Sequence, residues 1–216
     1  MMSLSFQEMR ELGRRHFMQH AALAGAGLAC ASLPLAGARA QSMNAVELDP
    51  RLLARAGAAL AKHGDKIFSR DLLAIADFSQ PSGLPRFHLF NMLDGSNTTL
   101  LVSHGIGSDR THSGRLQQFS NVPGSEATSA GAYLIGETYY GKYGASRRLI
   151  GLDPENDQAE NRAIVIHPAR YVSQSMVATQ GKVGRSQGCF AFSFDDIGQV
   201  LSRLAPGSLL YADKLG

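Results

Sequence analysis

Residues 86–105 read "RFHLFNMLDGSNTTLLVSHG". Two apolar runs flank Asp94-Gly95, a pair that suits the left-handed backbone of a tight hairpin turn. That stretch predicts two antiparallel strands, and its neighbours have the same character. "DLLAIADFS" (71–79) precedes it as a strand, with "QPSGLP" (80–85) as the turn between. Downstream, "GAYLIGETYY" (131–140) and "RRLIGLD" (147–153) flank "GKYG", and "RAIVIH" (162–167) is short and nearly all apolar. A run with no polar alternation predicts a strand covered on both faces, so 162–167 is expected at the centre of a sheet. "GSLLYAD" (207–213) is a last strand.

Two helices are expected at the periphery. In "LDPRLLARAGAALAKHGDKI" (48–67), Asp49 can cap and Pro50 suits the first turn. Leu52, Leu53, Ala56 and Leu60 share a face, and His63 and Gly64 close the element. "SFDDIGQVLSRLA" (193–205) offers Ser193 as cap, with Asp195 and Asp196 in the first turn. The residues alone thus predict one mostly β domain with two peripheral helices.

The first forty residues stand apart. A charged opening with Arg14 and Arg15 leads into an apolar run from Ala21 to Leu35, and Ala38-Arg39-Ala40 fits a signal-peptidase site. The run is too short and too rich in Gly and Ala to span a membrane. Paired arginines near Phe17 resemble a twin-arginine export signal. Cys30 lies near a position a lipoprotein would use, but Gly27 stands where a large aliphatic residue is needed. The expected organisation is 1–40 export signal, 41–69 a helical segment and 70–216 the main β domain, acting in the periplasm. The first forty residues hold four of the 21 basic residues and two of the 18 acidic ones, leaving 17 against 16. A chain so nearly neutral carries no basic stripe for nucleic acid, and no later segment is apolar for long enough to span a membrane.

Removal of 1–40 also removes Cys30, so Cys189 stands alone beyond it. Exported proteins mostly pair their cysteines, and an unpaired thiol is reactive, bonded to another chain or inertly buried. Five histidines follow residue 40, at 63, 88, 104, 112 and 167, and none follows Cys189. Papain-like enzymes place cysteine before histidine, so that order excludes them. His167 is nearest, 22 residues upstream. A strand ending at His167, a loop and a second strand reaching Cys189 would bring the two together. An imidazole beside a thiol raises its reactive fraction, so Cys189 is expected to alkylate faster than free cysteine at mildly acidic pH. The amides of Gly188 and Cys189 are expected to form an oxyanion hole, and Ser186 to hold substrate or imidazole.

"SQGC" (186–189) resembles the Ser-x-Gly-Cys signature of the L,D-transpeptidases, the YkuD-type catalytic domains, whose base histidine likewise stands about twenty residues upstream. "TSAGAYLIGE" (128–137) is similar to another segment of that family. "VSHGIGSD", "FSNVPGS", "GETYYGKYG" and "RAIVIHPARYVS" are more similar still to its murein L,D-transpeptidase catalytic domain subgroup. The resemblance implies a mainly β, sandwich-like fold of mixed sheets with peripheral helices. It implies Cys189 as nucleophile and His167 as base, oriented by a backbone carbonyl. It implies a thioester with peptidoglycan stem peptides, donor and acceptor, and needs no cofactor or metal. The chain departs from the usual pattern at Pro168 for glycine, Gln187 for histidine and Ala191 for arginine. The last two changes, with the subgroup resemblance, favour an L-Ala-to-diaminopimelate 1→3 link over the 3→3 link. A small Ala191 and the tyrosine-rich "ETYYGKYG" stretch would suit a cleft close to the donor sugar. Arg185, Tyr140, Arg148 and His104 are further candidates for binding substrate. The alternatives are a cysteine hydrolase of peptidoglycan and a non-catalytic wall-binding module. A sortase also places histidine first, but its usual sequence around the cysteine is absent.

Overall fold

The computed structural model describes residues 47–216; the expected export segment lies outside the described residues. Eight strands form one hydrogen-bonded sheet. They are β1 (Leu72–Asp77), β2 (Phe87–Asn91), β3 (Asn97–Leu100), β4 (Gly131–Gly141), β5 (Gly144–Gly151), β6 (Val165–Pro168), β7 (Phe190–Phe192) and β8 (Leu209–Asp213). The order is β3-β2-β1-β8-β4-β5-β6-β7. β1–β8 and β6–β7 are parallel, and the other neighbours are antiparallel. Among the described residues three helices accompany them: α1 (Pro50–Lys62), α2 (Gln174–Gln180) and α3 (Ile197–Arg203), with a 3-10 turn at Ile106–Ser108.

Local chemistry explains the elements that the sequence predicts. Asp49 accepts the Arg51 N–H at 2.8 Å and starts α1. The β2–β3 hairpin closes between Asn91 and Ser96, with Gly95 at φ +73 as the turn demands. Ser193 Oγ accepts the Asp196 N–H at 3.0 Å and caps the turn that opens α3. α2 was not among the expected elements: its first turn is capped by Ser173, but it buries no residue, so no apolar stripe announces it.

Alternation along the strands builds two faces. Leu73, Ile75, Ala132 and Leu209 point to one, where Leu52, Ala56 and Ala59 of α1 cover them. Ala74, Ala76, Phe87, Leu89, Tyr133 and Leu210 point to the other, the main core. Phe87 of β2 and Phe192 of β7 come from near opposite ends of the strand order, yet their rings stand 4.7 Å apart, edge to face. The sheet therefore curls over its core until its ends meet, which gives sandwich-like packing from a single sheet. Each large apolar side chain so enclosed contributes on the order of 2 kcal/mol. β6 is not central as its composition suggested: it is next to the last strand. All four of its residues are still buried, because the curl supplies one cover and a small cluster of Leu101, Ala169, Val172, Val183 and Ala191 lies beside its other face.

Candidate active site

The β6–β7 register pairs Ile166 with Phe190 and His167 with Ala191. Cys189, the residue before β7, thus falls level with Val165 and diagonal to His167. Alternate residues of a strand share a face, so both side chains project to one side, with their backbones on the order of 7 Å apart. A cleft of about 520 Å³ opens there, and Cys189, His167, Ser186, Arg185 and Gln187 all line it. Tyr139 near the end of β4, Lys142 and Tyr143 from the β4–β5 turn, Arg162 from the chain before β6, and Tyr171 also line it.

His167 is buried and tightly oriented. Its Nδ1 lies 2.9 Å from the carbonyl oxygen of Pro168, and its ring stacks on Tyr143 at 4.4 Å and 23°. A carbonyl only accepts, so Nδ1 carries the hydrogen and Nε2 keeps the basic lone pair. Proline in place of the usual glycine still presents the orienting carbonyl. Burial lowers the His167 pKa; the Pro168 hydrogen bond opposes this and the charge of Lys142 adds to it. Burial likewise raises the Cys189 pKa, against the pull of the Val165 amide, Arg162 and Lys142. The thiol lies 3.6 Å from the carbonyl oxygen of Ala163, toward which it donates. Burial thus disfavours the charged form of both groups. It works against the fast alkylation at mildly acidic pH expected from the pairing with His167.

The loop that carries Cys189 is held from two directions. Ser186 Oγ donates to the Cys189 carbonyl at 2.7 Å and accepts the Gly188 N–H at 3.1 Å. The Gly188 amide, expected in an oxyanion hole, is thus already engaged. Gly188 sits at φ +113, and its carbonyl accepts from Thr128 Oγ1 at 3.1 Å. Residues 103–106 run alongside: Ser103 N–H donates to the Ala191 carbonyl, Ser186 N–H to the His104 carbonyl, and Ile106 N–H to the Ser186 carbonyl.

Three sequence-predicted residues lie outside the cleft. His104 is fully buried, with Nδ1 2.7 Å from Arg86 Nη2 and Nε2 3.4 Å from Asp109 Oδ2. Burial and the Arg86 charge push its pKa down to about 3, so it is no proton carrier near neutrality. Tyr140 is 85 % exposed and does not line the cleft; nor does Arg148, which stacks on Tyr139, a residue of the cleft wall. Tyr139 and Tyr143, from the same tyrosine-rich stretch, do line it. Ala191 is fully buried in the small apolar cluster and does not widen the cleft. Gln187 donates to Glu126 Oε1 at 2.9 Å. Lys142, Arg162 and Tyr171 were not singled out by the sequence; they are remote from the Ser-x-Gly-Cys stretch, and no local pattern marks them.

A family model for the L,D-transpeptidase catalytic domain matches residues 44–212. The chain belongs to the L,D-transpeptidase catalytic domain family. That family consists of acyltransferases that act on peptidoglycan. Among solved structures, the chain is similar to an L,D-transpeptidase from Mycobacterium tuberculosis H37Rv, at 13 % identity and TM-score 0.42 over 66 % of this chain and 57 % of that one. It is similar to an L,D-transpeptidase from Mycobacterium smegmatis, at 14 % identity and TM-score 0.40 over 66 % and 58 %. It is also similar to the helical cell shape determining protein Pgp2 from Campylobacter jejuni, at 12 % identity and TM-score 0.44 over 78 % and 58 %. The chain spans less than two thirds of the length of each. No curated protein matches it in sequence. Among the described residues of this L,D-transpeptidase domain, no helix is long and apolar enough to cross a membrane.

Proposed function

We propose that this protein is an exported, periplasmic L,D-transpeptidase that cross-links peptidoglycan stem peptides through a thioester on Cys189. The observation that carries this reading is the cleft joining Cys189 to His167, whose Nδ1–H is tied to the Pro168 carbonyl so that Nε2 is the free base. In the proposed reaction Nε2 takes the Sγ proton as sulfur attacks a carbonyl carbon of the donor stem. The carbon–nitrogen bond breaks, the leaving amine takes the proton from His167, and a thioester remains. An amine on a diaminopimelate side chain of a second stem then displaces the sulfur, which recovers a proton through His167. The amide of Cys189 itself is left to face the oxyanion, since that of Gly188 is engaged.

The bond formed is proposed to run from L-Ala of the donor to diaminopimelate, a 1→3 link, in preference to 3→3. Such a donor carries its sugar next to the reacting carbonyl, and Tyr139 and Tyr143 line the cleft that would receive it. Ala191 contributes only by the absence of an arginine. The leader sequence supports export. Incubation with purified muropeptides, followed by mass spectrometry, tests the reading. Dimers whose donor ends in L-Ala are expected; dimers linked only between diaminopimelates would replace 1→3 by 3→3. Trimmed monomers alone would make the protein a hydrolase. Turnover that survives Cys189→Ala would leave a binding module or a different enzyme.

A further inference from the structure

The walls of the cleft carry three cationic side chains, Lys142, Arg162 and Arg185, and no carboxylate. The three are held very differently. Lys142 is exposed at the β4–β5 turn, with Nζ 4.8 Å above the Tyr143 ring. Arg185 donates to the carbonyls of Asp109 and Arg110, away from the thiol. Arg162 is locked. Its Nη1 donates to the Ser120 carbonyl at 2.7 Å and to Ser129 Oγ at 2.8 Å. Its Nη2 donates to Ser125 Oγ at 3.3 Å and to the Ala127 carbonyl. These bonds leave Nε–H without a protein partner among the described residues. The guanidinium also lies against the residue before the nucleophile: a Cβ added at Gly188 would stand 3.3 Å from Arg162 Nη2.

Resting on the assignment of Cys189 as nucleophile, we infer that Arg162 is a positioning residue for it, a fixed cation that favours the thiolate over the thiol and so eases proton transfer from Sγ to His167 Nε2. Four bonds hold the charge in place before substrate arrives, so no reorganisation is needed when negative charge develops on sulfur. With the Gly188 N–H turned to Ser186, this guanidinium is the charge against that side of the loop. Among the described residues no carboxylate bonds to Arg162 and cancels it. The coupling is mutual: Arg162 lowers the Cys189 pKa, and a thiolate at Cys189 would raise that of Arg162. The other titratable groups facing the thiol are His167 from β6, Lys142 and Tyr143 from the β4–β5 turn, Tyr171, and Tyr133 from beneath. The two tyrosines Tyr133 and Tyr171 stay protonated through neutral pH because burial raises both.

The test measures alkylation of Cys189 by iodoacetamide against pH, with melting temperature as a check on folding. Arg162→Gln should move the alkylation midpoint up by about one pH unit, the effect of losing a nearby opposite charge at a partly solvated site. At neutral pH the thiolate fraction, and with it acyl-enzyme formation, should fall about tenfold. Lys142→Ala, which removes an exposed charge, should move the midpoint by less than half as much. Arg162→Lys keeps the charge and should stay close to the parent midpoint. A folded Arg162→Gln protein with an unmoved midpoint overturns the inference. If that variant does not fold, an upward shift in Arg162→Lys as large as that expected for Gln overturns it equally, because charge would then not be the cause. Alkylation reads the thiol and not cross-linking, so loss of the proposed activity and loss of this inference are separate outcomes.

Discussion

Replacing Gly188 by alanine should force the loop that carries Cys189 to move. Gly188 has φ +113, a region that side-chain-bearing residues rarely enter. The added Cβ would lie 2.7 Å from Ile164 Cδ1 and 2.8 Å from the Ala127 carbonyl oxygen. The isoleucine tip can turn aside. The carbonyl is backbone and is held by Arg162, so the loop must move instead. Backbone strain costs about 1–3 kcal/mol and overpacking about 1–3 kcal/mol more. For a domain of this size each kcal/mol is worth about 2–4 °C, so a loss of about 2–6 kcal/mol should lower melting by about 4–24 °C. A loop shift on the order of 1 Å should slow acylation about a hundredfold. Thermal melting and intact-mass detection of the acyl-enzyme measure the two effects. A variant that melts within about 2 °C of the parent and acylates within about threefold would refute the argument from φ and contact.

Thiol alkylation in the unsubstituted protein should be slower than for free cysteine at pH 6 to 7, because the raised Cys189 pKa keeps it protonated there. The rate should climb only as pH rises through a midpoint above that of free cysteine. A fast rate at pH 6, lost on His167→Ala, would instead indicate a preformed ion pair. His104→Leu should destabilise by about 1–3 kcal/mol, since it strands a buried Arg86 donor that now reaches Nδ1 at 2.7 Å. His104→Asn, whose amide oxygen can stand near that nitrogen, should recover most of the loss in a thermal melt, and equal losses would show that the hydrogen bond is not what matters.

The sequence alone determined whatever follows from neighbours along the chain. Asp94-Gly95 set a hairpin because few residue pairs suit its backbone. Asp49 and Pro50 set the start of α1. The order of His167 before a lone Cys189, with Gly188 between small and polar residues, pointed to one catalytic pair, and two adjacent parallel strands bring those side chains to one face. Tertiary structure decided what depends on pairings remote in sequence. β8, last in the chain, lies between β1 and β4, and no local period encodes such a neighbour. The choice among the tyrosines turned on an irregular register between Ile135 and Thr138 in the β4–β5 pairing. One such shift breaks strict alternation, so counting along the strand does not tell which of Tyr139 and Tyr140 meets the cleft. His104 was drawn under the loop by a buried arginine 18 positions away. Arg162 owes its place to the Ser120–Ser129 segment folding around its guanidinium. The burial that raises the Cys189 pKa, too, arises in three dimensions, since desolvation depends on everything that packs around the sulfur and not on which residues precede it.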